Sequence, residues 1–382
     1  MRSLKASVAA RRHEALDCRT YAVSSIVPVT GPAPRLLFVP VSGPYGMGEY
    51  ARSLAIARAA HARWPQAAVH FLLSARAPYA AATPFPHTLL PASPTLHTPE
   101  VVAAIAGFRP DVVIFDNAGR SAQLAAARRA GARVIYISSR ARQRRKGFRW
   151  LWMRILAEHW IAYPAFIAGA PRPLERLKLR LLGRPRLRYL DYILAPPAAS
   201  AGDAAATPLA AGVLVVPGGG TGHPGARDAI AQFHGAAVQL GAEGIPTTFV
   251  GPVPAGAAPA ANVEVFASLP QADLAARLRR AALVVVNGGD TLLQAIACGL
   301  PCVAVPIAKD QHARIRRCAA AGIAVAAALD ARQIADRALG LWRDTPARTA
   351  LAGRAAGLQL RDGIAVALDG IAAALRPAAE SG

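Results

Sequence analysis

Carboxylates are scarce in this chain of 382 residues. Its 22 Asp and Glu stand against 44 Lys and Arg, a formal net charge of +22. So few acids exclude a metal cage built from clustered carboxylates. So large an excess of cations points to an anionic partner, whether nucleic acid, an acidic membrane surface or a phosphorylated substrate. Cysteine is scarcer still. Cys18, Cys298, Cys302 and Cys318 make no disulfide framework for this length, which fits a reducing compartment. Cys298 and Cys302 lack the second Cys or His pair of a zinc site, so they read as small core residues. Apolar runs such as Ala281–Val286 and Ile323–Leu329 fall far short of the roughly 20 residues a membrane span requires. The first 33 residues carry Arg2, Lys5, Arg11 and Arg12 without the apolar centre of a signal peptide. They are expected to be a poorly ordered extension. His61, His70, His87 and His97 show no ligand spacing, and neither a Gly-x-Ser-x-Gly elbow nor a Walker loop occurs. The glycine-rich turns lack the full dinucleotide fingerprint and its acidic partner, so no redox cofactor is expected.

What is present is a large apolar share, 53% of residues, enough for a sizeable core. Short apolar strands alternate with helical segments from Arg35 onward. Leu36–Val41 runs into a glycine-rich turn and a helix at 49–63; Val69–Leu73, Asp111–Asp116 and Arg133–Ile137 follow, with helices at 100–107 and 121–130 between the later strands. This rhythm implies parallel sheets in an α/β fold. Leu190–Leu194 is the expected last strand of this half. An Ala- and Pro-rich stretch then reads as a linker, and a second α/β rhythm starts at Gly212. The expected organisation is an extension (1–33), a first Rossmann-like domain (34–195), a linker (196–211) and a second Rossmann-like domain (212–382). These would be two doubly wound domains facing a cleft.

The strongest motif is Asn287-Gly288-Gly289-Asp290-Thr291-Leu292-Leu293-Gln294, followed by Gly299-Leu300-Pro301 and by Asp310-Gln311 after the next strand. It is a strand, a diglycine turn and a helix start. Exposed amides and the helix dipole there favour an anion such as pyrophosphate. Thr291 adds a hydroxyl, Gln294 lies one turn on toward a sugar hydroxyl, and Asp310 and Gln311 sit at the same carboxyl edge, where open α/β sheets bind ligands. The bland reading is a tight Gly-Gly turn with Asp290 as an N-cap. Gly218-Gly219-Gly220-Thr221-Gly222-His223 opens the second domain in the same manner and suggests further phosphate contact. There His223 is either a phosphate ligand or a polar helix-start residue. In the first domain, Gly46-Met47-Gly48-Glu49 precedes the first helix. Glu49 is a candidate general base or a carboxylate stabilising the helix dipole. Asp116, closing a strand, is a second candidate base or a turn-former.

These residues resemble the donor-binding half of the two-domain (GT-B) glycosyltransferases. The likeness is to family 28, which includes the enzyme adding N-acetylglucosamine to lipid I. It covers about 212–330 well and the first half more loosely. It rests on Gly288-Gly289, Thr291, Gln294, Gly299-Leu300-Pro301 and Asp310-Gln311, with Gly46 and Gly48 as the acceptor-side loop. Gln294 stands where the family has an acid that grips the ribose diol, and Glu49 where His is usual. The resemblance implies a metal-independent, cofactor-free hexosyltransferase that takes its sugar from a nucleotide-diphosphate donor. An alternative is a nucleotide-sugar hydrolase or epimerase on the same scaffold, and another is a non-catalytic membrane-associated scaffold. A carboxylate at position 294 is expected to hold an ordinary ribonucleotide as well as Gln294 or better.

Residues 140–188 carry 14 Lys or Arg against Glu158 and Glu175, a net +12, with Trp150, Leu151, Trp152, Ile155 and Leu156 interleaved. This pattern reads as a surface lying on an anionic bilayer. The bland alternative is a solvated basic face with a few core anchors. No nucleic-acid-binding motif accompanies it, so nucleic acid is not the expected partner. A lipid-linked or glycolipid acceptor and a peripheral position on the inner, cytoplasmic face of the membrane are the resulting expectations.

Overall fold

The computed structural model describes residues 33–194, 212–218 and 228–376. The expected extension up to residue 32 and the linker at 196–211 lie outside them.

Two wholly parallel sheets form the scaffold. The first contains β1 (Arg35–Pro40), β2 (Ala68–Ser74), β3 (His87–Leu90), β4 (Val112–Asp116), β5 (Arg133–Ser138), β6 (Leu156–Ile161) and β7 (Arg186–Tyr189), in the order β3-β2-β1-β4-β5-β6-β7. The second contains β8 (Val213–Val216), β9 (Thr247–Val250), β10 (Val263–Phe266), β11 (Leu283–Asn287), β12 (Cys302–Val305) and β13 (Val325–Ala326), in the order β10-β9-β8-β11-β12-β13. Apart from Arg35 at the start of β1 and Asp116 and Asn287 at the ends of β4 and β11, the central strands are apolar and buried on both faces, as strands covered by helices on each side must be. One core cluster lies on each face of each sheet. In both sheets the strand order reverses beside the first strand. The switch points therefore fall between β1 and β4 and between β8 and β11, and the crevice at the carboxyl ends there is the place for a ligand.

The helices start within three residues of their expected positions, at Gly48, Thr98, Ser121, Ala229, Gln271 and Asp290. Three features differ. The last strand of the first sheet is β7, Arg186–Tyr189, and not 190–194, where only an isolated bridge joins Tyr192 to Asp362. The closing helix Gly363–Leu375 buries Ala367, Ile371 and Ala374 in the core of the first sheet, so the chain returns to the first half instead of finishing on the second. In the other direction, Tyr163, Phe166 and Ile167, between β6 and β7, pack with the core of the second sheet. In the basic segment Trp152 and Trp160 are buried core residues. Trp160 donates to Glu158, which also accepts Arg188 Nε at 2.7 Å. Of the two cysteines expected in the core, Cys302 is buried and Cys298 only half-buried; Cys318 is buried as well.

Candidate active site

The first-half wall is built on Arg52, in the helix Gly48–Arg63 that follows β1. Its guanidinium grips Asp116 at the end of β4 with two bonds, Nε to Oδ2 at 2.9 Å and Nη2 to Oδ1 at 2.8 Å. Asp116 is fully buried. Burial pushes its carboxyl up to about 6 against the pull of Arg52. Both oxygens are held by one side chain, and none of the residue reaches solvent. Asn117, the next residue, adopts a left-handed backbone (φ 54°), uncommon for a residue with a side chain and tolerated best by Asn and Asp. This turn aims its amide at Glu49, whose Oε1 accepts from Asn117 Nδ2 at 2.9 Å. Asn117 Nδ2 also reaches Ser139, whose own N–H donates back to Asn117 Oδ1. Arg140 lies 3.8 Å from Glu49. Glu49 is thus a partly exposed carboxylate at the mouth of the first switch point, fixed by one amide and one cation.

The second-half wall is built on Asn287, the last residue of β11. Its Nδ2 donates to the Pro217 carbonyl at 2.6 Å and its Oδ1 accepts the Gly289 N–H at 2.7 Å, so one side chain ties together the loops after β8 and β11. The Gly288 N–H is also taken, by Val305. The two glycines hence leave no amide for a phosphate, and packing explains them. A Cβ on Gly289 would lie 2.6 Å from Asn287 Oδ1, and one on Gly288 would lie 2.9 Å from Gln311 and Ile315. Gly218 packs against the same Asn287. The amides that remain are those of the first turn of the helix Asp290–Ala297, which no side chain caps. By helix geometry Asp290, Thr291 and Leu292 present their N–H groups outward. An anion at this edge would rest on them.

Asp290 Oδ2 lies 3.3 Å from Arg52 Nη1. A Cβ on Gly48 would touch the same carboxylate at 3.9 Å, and Gln271 Nε2 reaches the Ala51 carbonyl at 3.4 Å. The two switch points therefore meet, with Gly48 and Arg52 facing the start of the helix Asp290–Ala297.

Other expected donor contacts have structural duties. Gln311 is buried and its Oε1 accepts the Ile307 N–H at 2.9 Å. Asp310 is exposed and pairs with Arg314 at 3.5 Å. Gln294 Nε2 donates to the Ile193 carbonyl at 2.5 Å, where the chain leaves the first half, so its amide hydrogen bond points away from the ribose role expected for it. Gly219, Gly220, Thr221 and His223 lie outside the described residues. Gly46 turns the loop ahead of Gly48 with φ 77°.

Sequence reasoning gave no site role to Arg52, Asn117, Arg140, Asn287 or Arg314. Arg314 is buried, donates to the Gly288 carbonyl and stacks on Tyr163 from the first half at 4.0 Å. Only Asn287, adjoining the diglycine, carried a local signal. The others are recognisable by their partners, which are remote in sequence. Among the described residues, no three His, Cys, Asp or Glu side chains gather around a metal position.

Comparison with known proteins gives the architecture its name. Residues 245–339 match the family model described as UDP-glucoronosyl and UDP-glucosyl transferase. The crystal structure of the glycotransferase of kitacinnamycin superposes with a TM-score of 0.62 at 21% identity, covering 91% of this chain and 100% of that one. MurG of Acinetobacter baumannii gives 0.57 at 16%, covering 88% and 98%. A putative UDP-N-acetylglucosamine 2-epimerase from Listeria monocytogenes gives 0.56 at 14%, covering 89% and 95%. This is the GT-B fold. Curated proteins provide no match. In the GT-B frame the Asn287 clamp and the helix at Asp290 belong to the second Rossmann-like half, and Glu49 and Arg52 to the first.

Proposed function

We propose that the protein is a glycosyltransferase that moves a hexosyl unit from a nucleotide-diphosphate donor to the hydroxyl of a lipid-linked acceptor. The observation that carries this reading is the meeting of the two switch points, with the uncapped helix at Asp290 against Gly48 and Arg52, the residues that flank Glu49 on the first helix. The match of 245–339 to a UDP-sugar transferase model supports a UDP-sugar as the donor.

In this mechanism the diphosphate rests on the amides of Asp290, Thr291 and Leu292. The acceptor oxygen attacks the anomeric carbon as the bond from that carbon to the diphosphate oxygen breaks. The bonding pair leaves with the diphosphate, and the acceptor proton passes to Glu49. The helix dipole and its amides, fixed before reaction, stabilise the charge that develops on the leaving group. Asn117 and Arg140 hold Glu49 in orientation. Asp116, sealed behind Arg52, is a positioning residue in this scheme and not the proton acceptor. Arg140 opens the basic segment directly beside Glu49, which supports an acceptor arriving from that side with an anionic head.

The test is a thermal-shift screen with UDP-sugars, since a bound donor raises apparent stability, followed by product analysis. Glu49→Gln should lower kcat by about 100-fold, the lower end for a general base, with donor affinity unchanged. An unchanged kcat would remove Glu49 from the chemistry. A second reading, sugar release or epimerisation, is favoured by the likeness to the putative 2-epimerase. Free or epimerised sugar formed with water as the only acceptor would support it over transfer.

A further inference from the structure

The helix Pro173–Leu182 buries none of its residues. Its sequence, PLERLKLRLL, nevertheless places Leu174, Leu177 and Leu181 at i, i+3 and i+7, a single ridge on one side of the helix. They are 61%, 51% and 66% exposed. A short helix alongside, Trp150–Ile155, shows Trp150 and Leu151 at 45% and 57% exposure while burying Trp152, Met153 and Ile155. Lys178 joins the two helices: its Nζ donates to the Phe148 carbonyl at 3.2 Å and lies 5.9 Å from the centre of the Trp150 ring. Five large apolar side chains thus stand in water together, an arrangement monomeric proteins keep for partners. Around them Arg149, Arg154, Arg172, Arg176, Arg180 and Arg184 are all exposed. The carboxylate nearest in the helix, Glu175, turns inward, holding the Arg172 N–H and lying 3.4 Å from Arg144.

We infer that this face, the leucine ridge of Pro173–Leu182 with Trp150 and Leu151, docks the protein on an anionic phospholipid bilayer. A leucine ridge with arginines at its flanks matches the bilayer boundary: apolar side chains sink among the acyl chains, guanidinium groups stay at headgroup phosphates, and tryptophan prefers the layer between. The surrounding charge is of one sign, which selects an anionic membrane. This narrows the broader sequence expectation, since Trp152, Ile155 and Leu156 are core residues and the leucine ridge of Pro173–Leu182 supplies apolar surface in their place. The helix Ala141–Gly147, about 10 Å long, separates the Arg140–Glu49 contact from this face. The proposed active site thereby opens close to the membrane. The docking face does not depend on the transfer reaction, and either reading can fail alone.

The experiment is co-sedimentation of the full chain with vesicles of phosphatidylcholine alone or with about a third phosphatidylglycerol. Partitioning should be at least tenfold stronger on the anionic vesicles and fall at least tenfold in 0.5 M salt, because screening shortens the reach of the arginines. The triple variant Leu174→Ser, Leu177→Ser, Leu181→Ser should lose tenfold or more. Its helix buries nothing, so circular dichroism should show an unchanged fold. Emission from Trp150, the exposed tryptophan among the described residues, should shift to the blue on binding, and Trp150→Phe should abolish that shift. Equal binding to neutral vesicles, full binding by the triple serine variant, or a dimer that the serines dissolve would each overturn the assignment. Tighter binding to RNA than to anionic vesicles would do so as well.

Discussion

Asn287 uses both ends of its amide, and two loops depend on it. Gly289→Ala puts a methyl 2.6 Å from its Oδ1, so the side chain must leave, and the bonds to Pro217 and Gly289 go with it. Losing hydrogen bonds to buried groups costs roughly 1–3 kcal/mol. Asn287→Ala should cost about the same, and the double variant no more than the worse single within ~0.5 kcal/mol. Additive losses in urea denaturation would show that the two residues act apart. His159 supplies a second prediction. It is fully buried against Tyr136 and Phe148 with Nε2 on Ser138, and burial lowers its pKa from 6.5 to about 3. Between those limits the unfolded chain binds the extra proton. Stability is therefore fully present above about pH 6.5 and drains as pH falls toward 3. The integrated loss from pH 7 to 5 is about 2 kcal/mol. Asp116, shifted upward, works in the opposite sense, but it is shared by wild type and His159→Gln. The stability difference between those two should therefore shrink by about that amount over this range. A constant difference would show that His159 is not the acid-sensitive group.

At the scale of elements, Gln294 ties the helix Asp290–Ala297 to Ile193, next to the place where the two crossings between halves run side by side: Tyr192 bridges Asp362, and Asp191 accepts the Arg361 N–H at 2.9 Å. A carboxylate at 294 has no proton to give and would face a carbonyl oxygen. Gln294→Glu should therefore destabilise the protein by roughly 1–3 kcal/mol, more than Gln294→Ala does, and should not improve donor affinity. A Glu variant as stable as wild type would return Gln294 to the ribose. The central strands were legible in the sequence because parallel strands buried on both faces read as unbroken apolar runs. β6 and β7 were not, since LAEHWI and RLRY interrupt the pattern with Glu158, His159 and Arg188, polar groups that find partners in one another, in Trp160 and in Ser138. Gly288 and Gly289 were expected to offer amides to a phosphate, whereas in the structure they answer to the space beside Gln311, Ile315 and Asn287. The closing helix is apolar and small-residued but for Asp369, with Gly370 letting it approach Trp160, and nothing in it announces which half it will cover.

For the whole molecule, the contact that matters most is the one between Arg52 and Asp290, because it brings the first switch point to the second. Removing Arg52 is a blunt test. It would leave Asp116 buried and unpaired, at a cost of about 3–5 kcal/mol, so any loss of activity would be confounded with unfolding. Asp290→Asn is cleaner. This carboxylate is about one-third exposed, and a partly exposed ion pair contributes on the order of 1 kcal/mol or less to stability, so the fold should hold. Its charge, however, stands at the first residue of the helix whose amides would receive the diphosphate. Two opposite tendencies follow from neutralising it. The halves lose one tether, while the anion site loses a repelling neighbour and gains the released Nη1 of an Arg52 that Asp116 still holds in place. At a separation of roughly 7 Å and an effective dielectric constant of about 50, one unit of repulsion is worth about 1 kcal/mol, against a tether of equal or smaller size. The repulsion should win, because the diphosphate carries more than one negative charge. UDP should therefore bind Asp290→Asn about fivefold more tightly than wild type in titration calorimetry, with the advantage shrinking as salt is raised. Weaker or unchanged UDP binding by a folded Asp290→Asn variant would mean that the diphosphate does not lie on the helix start at Asp290.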